Sequence, residues 1–152
     1  MTGPSVDYEV IYRQLPIPVL LLTPEFVIAD ANQAYLAATG RTREQLLGHD
    51  VFDAFPDNPA DPDATGEHDI RESLSKVLAT GKPDVRSLQR YDVEVPGRPG
   101  EFAPRYWNPC NAPVFGPNGQ IVLIAHCVEE MTSRVSHFLE GLSNDDLADW
   151  PD

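Results

Sequence analysis

The dipeptide Asn118-Gly119 separates two long runs rich in apolar residues, Phe102 to Phe115 and Ile121 to Val128, and it constrains the fold more than any other feature. Asn-Gly is the strongest local signal of a hairpin turn in the chain. The C-terminal half is therefore expected to carry a long antiparallel hairpin. Alternation along its second arm puts Ile121, Leu123, Ala125 and Cys127 on one face, and Val122, Ile124, His126 and Val128 on the other. On the first arm Pro109 removes a ladder donor and predicts a bulge, which leaves the facing of Asn108, Cys110 and Asn111 open. Counting from the turn puts Cys110 and Cys127 within about two residues of facing one another. Buried, inert thiols are the expectation there, with a redox pair as the alternative.

The remaining punctuation is local. Tyr8, Ile11, Tyr12 and Leu15 recur at helical spacing and predict a short amphipathic helix that stops before Pro16 and Pro18. Ile17 to Thr23 reads as a strand covered on both faces, and Phe26 to Ala29 as its antiparallel partner. Asn32 is placed to cap a helix over Gln33 to Ala38, ended by Gly40. Thr42 and Gln45 form a capping box ahead of Leu46 and Leu47, with Gly48 at the C′ position. Pro56 to Gly66 reads as a surface loop. Ile70, Leu74, Val77 and Leu78 mark the clearest helical stripe, stopped by Gly81 and Pro83. Val85 to Val95 reads as one strand, turned at Pro96 to Gly100. Met131, Val135, Phe138, Leu139 and Leu142 close the pattern with an amphipathic helix.

The economical packing is α+β, a five-stranded antiparallel sheet with helices over one face. The expected boundaries are a flanking helix at 1–16, a central domain at 17–130, a second flanking helix at 131–142 and a loose acidic tail at 143–152. A chain of 152 residues supports one good core and not two. The net charge of −13, with only 11 Lys and Arg scattered singly, disfavours nucleic acid and anionic membrane surfaces. No secretory signal is read in Met1 to Asp7, and Val19 to Leu22 is far too short to span a bilayer. Two cysteines make no disulfide framework, so a reducing cytoplasm is the expected compartment.

The order of elements resembles that of the PAS sensor domain, and short motifs agree with it. Phe26-Val27-Ile28-Ala29-Asp30-Ala31-Asn32-Gln33-Ala34 is similar to the stretch in which the second PAS strand enters an Asn-capped helix. The segment from Thr39 to Gly48 resembles the family's G-x-x-x-E-E-L-x-G, and Val128-Glu129-Glu130-Met131-Thr132 its D-[IV]-T motif, with Glu130 in place of the Asp. A closer likeness is to a bacterial subgroup found in histidine kinases and multidomain phosphatases. It is carried by Leu88 to Asp92, Arg105-Tyr106-Trp107-Asn108-Pro109 and Asn111-Ala112-Pro113-Val114. The resemblance spans about residues 8 to 132.

Membership would imply a sheet whose concave face encloses a pocket, flanking helices that carry signals, and no chemistry of its own. In PAS relatives the residue two before the motif Asp points into the pocket, which selects Val128 and puts His126 inside with it. Asn108 and Asn111 are the polar candidates on the neighbouring strand, and Tyr35, Tyr91 and Trp107 are candidates for the same wall. Haem sensors of the family use a His on the long helix, but His68 stands about two residues out of step, so haem is disfavoured. A flavin photoadduct is disfavoured because Cys110 falls on a strand and the helical region after Val51 has no Cys. Non-covalent flavin and the identity of any cofactor stay open. Asp61, Asp63, Thr65, Gly66, Asp69 and Glu72 imitate an EF-hand loop, yet no helix precedes it, and no metal site is expected.

Three functional readings follow. The first is a cytoplasmic sensory or regulatory module that binds a small ligand or partner, dimerises through its terminal helices and addresses an effector domain, kinase or phosphatase. Met131, Val135, Phe138, Leu139 and Leu142 would form the pairing face, unless that stripe packs back onto its own sheet. The second is a ligand-free dimerisation module with a filled core. The third is a small enzyme using His126 and a carboxylate, for which no triad, phosphate loop or metal cluster can be read. No catalytic residue is therefore assigned.

Overall fold

The structure, a computed structural model, describes residues 3–141. Helix α1 (Tyr8–Gln14) is capped by Asp7, whose carboxylate accepts from Val10 N. Strands β1 (Val19–Leu22) and β2 (Ile28–Ala31) pair antiparallel. Four helices follow: α2 (Gln33–Thr39), α3 (Arg43–Leu46), α4 (Val51–Ala54) and the long α5 (Gly66–Thr80). Asn32 caps α2 through Tyr35 N, and Thr42 with Gln45 forms the capping box of α3 in both directions. Local capping chemistry therefore fixes where each short helix starts.

The chain then runs through β3 (Asp84–Val85), β4 (Gln89–Arg90), β5 (Val93–Glu94), β6 (Phe102–Ala103), β7 (Tyr106–Phe115), β8 (Ile121–Glu130) and α6 (Thr132–Gly141). The main sheet has the order β2-β1-β8-β7-β3, and β4 also lies along β7. Every pairing is antiparallel. Five lanes are thus occupied, with β3 and β4 sharing the last. Leu20, Leu22, Ile28, Leu74, Val77 and Ile124 are almost wholly buried where this sheet meets the helices.

Four strand expectations need correction, one of them being that the first arm of the hairpin, expected from Phe102 to Phe115, divides into β6 and β7. Ile17 is exposed and the first strand begins at Val19, after Pro18. Phe26 lies outside the second strand because its backbone is left-handed, with φ of 67°. The strand starts later and includes Asp30 and Ala31. The segment from Val85 to Val95 breaks into three short strands, of which β5 leaves the main sheet to pair with β6. Pro104, which has no N–H to donate, stands where β6 peels away from β7.

The bulge expected on β7 at Pro109 is also elsewhere. The register of β7 on β8 is unbroken from Trp107↔Glu130 to Val114↔Leu123 and shifts only at Phe115. Across the other edge, Val85 faces Cys110 while Gln89 faces Trp107, so residues 86–88 stand opposite only 108 and 109. The extra residue is on the facing strand. Arg86 N donates to Pro109 O, so the absent proline N–H points to that side and not towards β8. A proline thus loosens its outer neighbour and leaves the long hairpin intact.

At its end β8 passes into α6 through a polar joint. Thr132 N donates to Glu130 Oε1 at 2.8 Å, and Tyr106 N donates to Thr132 Oγ1 at 3.0 Å. The longer glutamate therefore still reaches the helix base. The helix starts at Thr132, so Met131 precedes it. Phe138 and Leu139 are 64% and 59% exposed, and α6 buries no residue fully. Leu142 and the tail 143–152 lie outside the described residues.

Candidate functional site

A cavity of about 50 Å³ lies between the inner face of β7 and β8 and the helices α2, α4 and α5. Its wall includes Tyr35, Tyr91, Trp107, Pro109, His126 and Val128, together with core side chains such as Phe52 and Ile70. Five of the seven residues expected from the sequence therefore meet around one volume. Asn111 is fully buried but stands behind His126, outside the wall. Asn108 is exposed on the opposite face, because alternation continues undisturbed through Pro109. Asn108 therefore lies outside the pocket.

Several wall groups already hold partners. The Tyr91 hydroxyl donates to Phe55 O, and Trp107 Nε1 donates to Tyr91 O at 2.8 Å. Thr39 Oγ1 donates to Tyr35 O at 2.9 Å. Burial, above all other causes, raises the Tyr35 and Tyr91 hydroxyls far above the ordinary phenol range, so both stay protonated. Gly66 opens α5 directly against Tyr91. A Cβ there would come within 2.5 Å of the Tyr91 ring, so only glycine lets the helix approach this wall.

Behind the wall runs a buried polar line. His126 Nδ1 and Asn111 Oδ1 are 2.6 Å apart. Asn111 Nδ2 donates to Ser73 Oγ at 2.9 Å, and Ser73 Oγ donates to Asp84 Oδ2 at 2.6 Å. Asp84 also accepts from Arg86 Nε at 2.7 Å and lies 3.3 Å from Lys76 Nζ. The Ser73 hydrogen bond first, then Arg86 and Lys76, hold the Asp84 carboxyl below its usual range against the cost of burial. Burial alone lowers His126 from 6.5 to about 4, so its ring is neutral at pH 7.

Ser73 and Asp84 were not anticipated. The signal was present: Ser73 falls on the same helical face as Ile70, Leu74 and Val77, a polar residue inside an apolar stripe. Gln89, within the stretch Leu88 to Asp92, also borders the cavity. Its Nε2 donates to Asp69 Oδ2 at 2.9 Å, and its Oε1 is buried with no partner among the described residues.

The remaining candidates lie outside this volume. Cys110 and Cys127 are directly opposed in register as half-buried free thiols on the outer face, and desolvation, then Cys110, raises Cys127. His68 is exposed and sits 3.6 Å from Glu72. Asp57, Asp61, Asp63 and Asp69 border a second, polar recess of about 220 Å³. No group of three or more ligating side chains placed to hold a metal occurs among the described residues. No helix among them is long and apolar enough to cross a membrane.

A family model described as the PAS fold matches residues 12–136. Among solved structures, the PAS domain of a Colwellia psychrerythraea protein is similar at 16% identity and a TM-score of 0.65, over 83% of this chain and 95% of that one. A sensory box sensor histidine kinase from Vibrio cholerae aligns at 16% identity and 0.54, over 80% and 86%. The PAS domain of a LuxR-family transcriptional regulator from Burkholderia thailandensis, solved in complex with ethanol, aligns at 16% and 0.57, over 84% and 99%. No curated protein matches the chain.

Proposed function

The chain belongs to the PAS fold family, and we propose that it serves as a cytoplasmic sensory or regulatory module of bacterial signal transduction, without catalysis of its own. In this reading residues 17–130 form the sensing domain, and the segments 1–16 and 131–142 relay its state to an effector such as a kinase or phosphatase. The observation that carries it is the cavity against the inner sheet face, where an apolar wall carries Tyr35 and His126, and neither the Tyr35 hydroxyl nor His126 Nε2 has a hydrogen-bond partner among the described residues. Such a composition suits a small molecule held by shape and oriented by one or two hydrogen bonds.

Native mass spectrometry of protein purified from its own host, followed by thermal shift across a metabolite library, tests this reading. A co-purifying small molecule, or a raised Tm with a defined subset of compounds, is the expected result. A clean apo mass with no shift across the library would replace it with a ligand-free interaction module. The apolar surface left open on the terminal helices favours that second reading, since Tyr8 on α1 is 79% exposed and Phe138 and Leu139 on α6 are exposed as well. Sedimentation of the chain with and without residues 133–152 separates a helix-paired dimer from a monomer.

A further inference from the structure

The polar line behind the cavity has a direction, set at its far end. Asp84, held ionised, offers only lone pairs, so the single Ser73 hydrogen must point to it. Ser73 Oγ can then only accept along the line, which requires the Asn111 amide to present Nδ2 to it. Asn111 Oδ1 is left facing His126, and an oxygen at 2.6 Å demands a proton on Nδ1. A neutral imidazole with its proton on Nδ1 keeps a bare lone pair on Nε2. That nitrogen has no hydrogen-bond partner among the described residues, and the ring belongs to the cavity wall.

The other wall groups bias the cavity the same way. Gln89 turns its amide nitrogen to Asp69, so it brings no donor to the cavity. Thr39, Tyr91 and Trp107 direct their hydrogens to backbone carbonyls. Tyr35 has the one wall hydroxyl with no protein partner among the described residues, and it can accept as well as donate. No cationic or carboxylate side chain lines the volume, so a charged occupant would lose its hydration uncompensated. At roughly 10–15 Å³ per water-sized probe, about 50 Å³ holds about three to five such groups.

We propose that the cavity takes a small uncharged molecule through a hydrogen-bond donor, an O–H or N–H, placed on His126 Nε2, and that Asp84 enforces this choice from outside the cavity through Ser73 and Asn111. The inference rests on the sensory reading above and supplies its ligand class. A hydroxyl fits best, since it donates to Nε2 and accepts from Tyr35 in one group. An isosteric carbonyl would set an acceptor against an acceptor.

The test uses the full chain and two probes of equal size, 2-propanol and acetone, titrated while the resonances of cavity residues are followed. The alcohol is expected to bind about tenfold tighter or more, the range for leaving one buried acceptor unpaired. His126→Phe should erase that preference while acetone affinity stays within a few-fold. The imidazole ¹⁵N spectrum should show the proton on Nδ1 in the wild type and a mixture of tautomers in Asp84→Asn, where the line loses its direction. Acetone binding as well as 2-propanol, or a wild-type proton on Nε2, would overturn the inference and leave the sensory reading standing. If neither probe perturbs the cavity, the inference and the pocket reading fall together. Should Asp84→Asn fail to fold, the wild-type spectrum and the paired titrations still decide.

Discussion

Asn32 and His126 are both buried polar side chains under the same sheet, and they differ in how completely they are satisfied. Asn32 Oδ1 accepts from Val19 N and Tyr35 N, and Asn32 Nδ2 donates to Tyr12 O and Ile17 O. One amide thus ties α1, the entry to β1 and the first turn of α2 into a single joint, with nothing left over. His126 has one nitrogen tied to Asn111 and the other without a hydrogen-bond partner among the described residues, in a side chain that lines the cavity. A fully satisfied buried group serves the fold. One with a single open end is the point at which the fold and the proposed ligand reading can be separated by experiment.

The largest expected effect breaks the closed side of that comparison. Asn32→Ala leaves two part-buried carbonyls, Tyr12 O and Ile17 O, without their donor, and removes the α2 cap and the partner of Val19 N. A loss of roughly 3–5 kcal/mol is expected in urea denaturation, several hydrogen bonds' worth. Asn32→Asp should do little better, because it would aim a carboxylate at Tyr12 O and Ile17 O. A loss near that of a surface substitution in either variant would show that the joint is not what holds α1 to the sheet.

The open side answers to pH. The folded chain holds His126 at about 4, against 6.5 for a free ring. Between those values the unfolded chain binds the extra proton, so stability rises with pH. It is complete above about pH 6.5 and falls as pH drops towards 4, by an amount on the order of 3 kcal/mol. Asp84, lowered in the fold, adds its own loss only further into acid. In His126→Phe the segment between pH 6.5 and 4 should flatten, as read from denaturation midpoints across that range. An unchanged slope would mean that His126 titrates as freely in the fold as outside it.

Gly66→Ala sharpens the comparison at the cavity wall by packing alone, since it removes no hydrogen-bonding group. Its new methyl would meet the Tyr91 ring at 2.5 Å. Overpacking of this kind costs about 1–3 kcal/mol, less what alanine gains in helix propensity. The cavity should shrink as Tyr91 shifts, so probe binding ought to weaken along with stability. Loss of stability with unchanged binding would place the strain in α5 and not in the wall.

What could be read beforehand follows the same division. Asn32 was legible because capping is local: an Asn before an Ala-rich run needs no partner distant in sequence. The inward face of β8 was legible because alternation has a fixed period, and it placed His126 and Val128 together. The line behind them was not, since Ser73 lies 38 residues from Asn111 in sequence and meets it only through packing. Pro109 misled for a similar reason. A missing N–H says that one edge of a strand is weakened, but which neighbour lies on that edge is settled by the topology. With the facing left open, Asn108 stood as a candidate beside Asn111, whereas unbroken alternation puts the two on opposite faces.

The smallest effect on stability is expected where neither polar network reaches. Phe138 and Leu139 project from α6 with more than half of their surface open, and the polar joint at Glu130 and Thr132 sits at the other end of that helix. Replacing both with Glu removes little burial within one chain, so the denaturation midpoint of a dilute sample should move by no more than the roughly 0.5 kcal/mol of surface substitutions. If two chains pair through this face, the double variant should abolish the concentration dependence of mass seen in sedimentation, because two new charges would be buried without partners. A variant that unfolds the monomer would instead mean that the stripe folds back onto its own sheet, which would make α6 a third case: apolar, closed and structural, like the Asn32 joint.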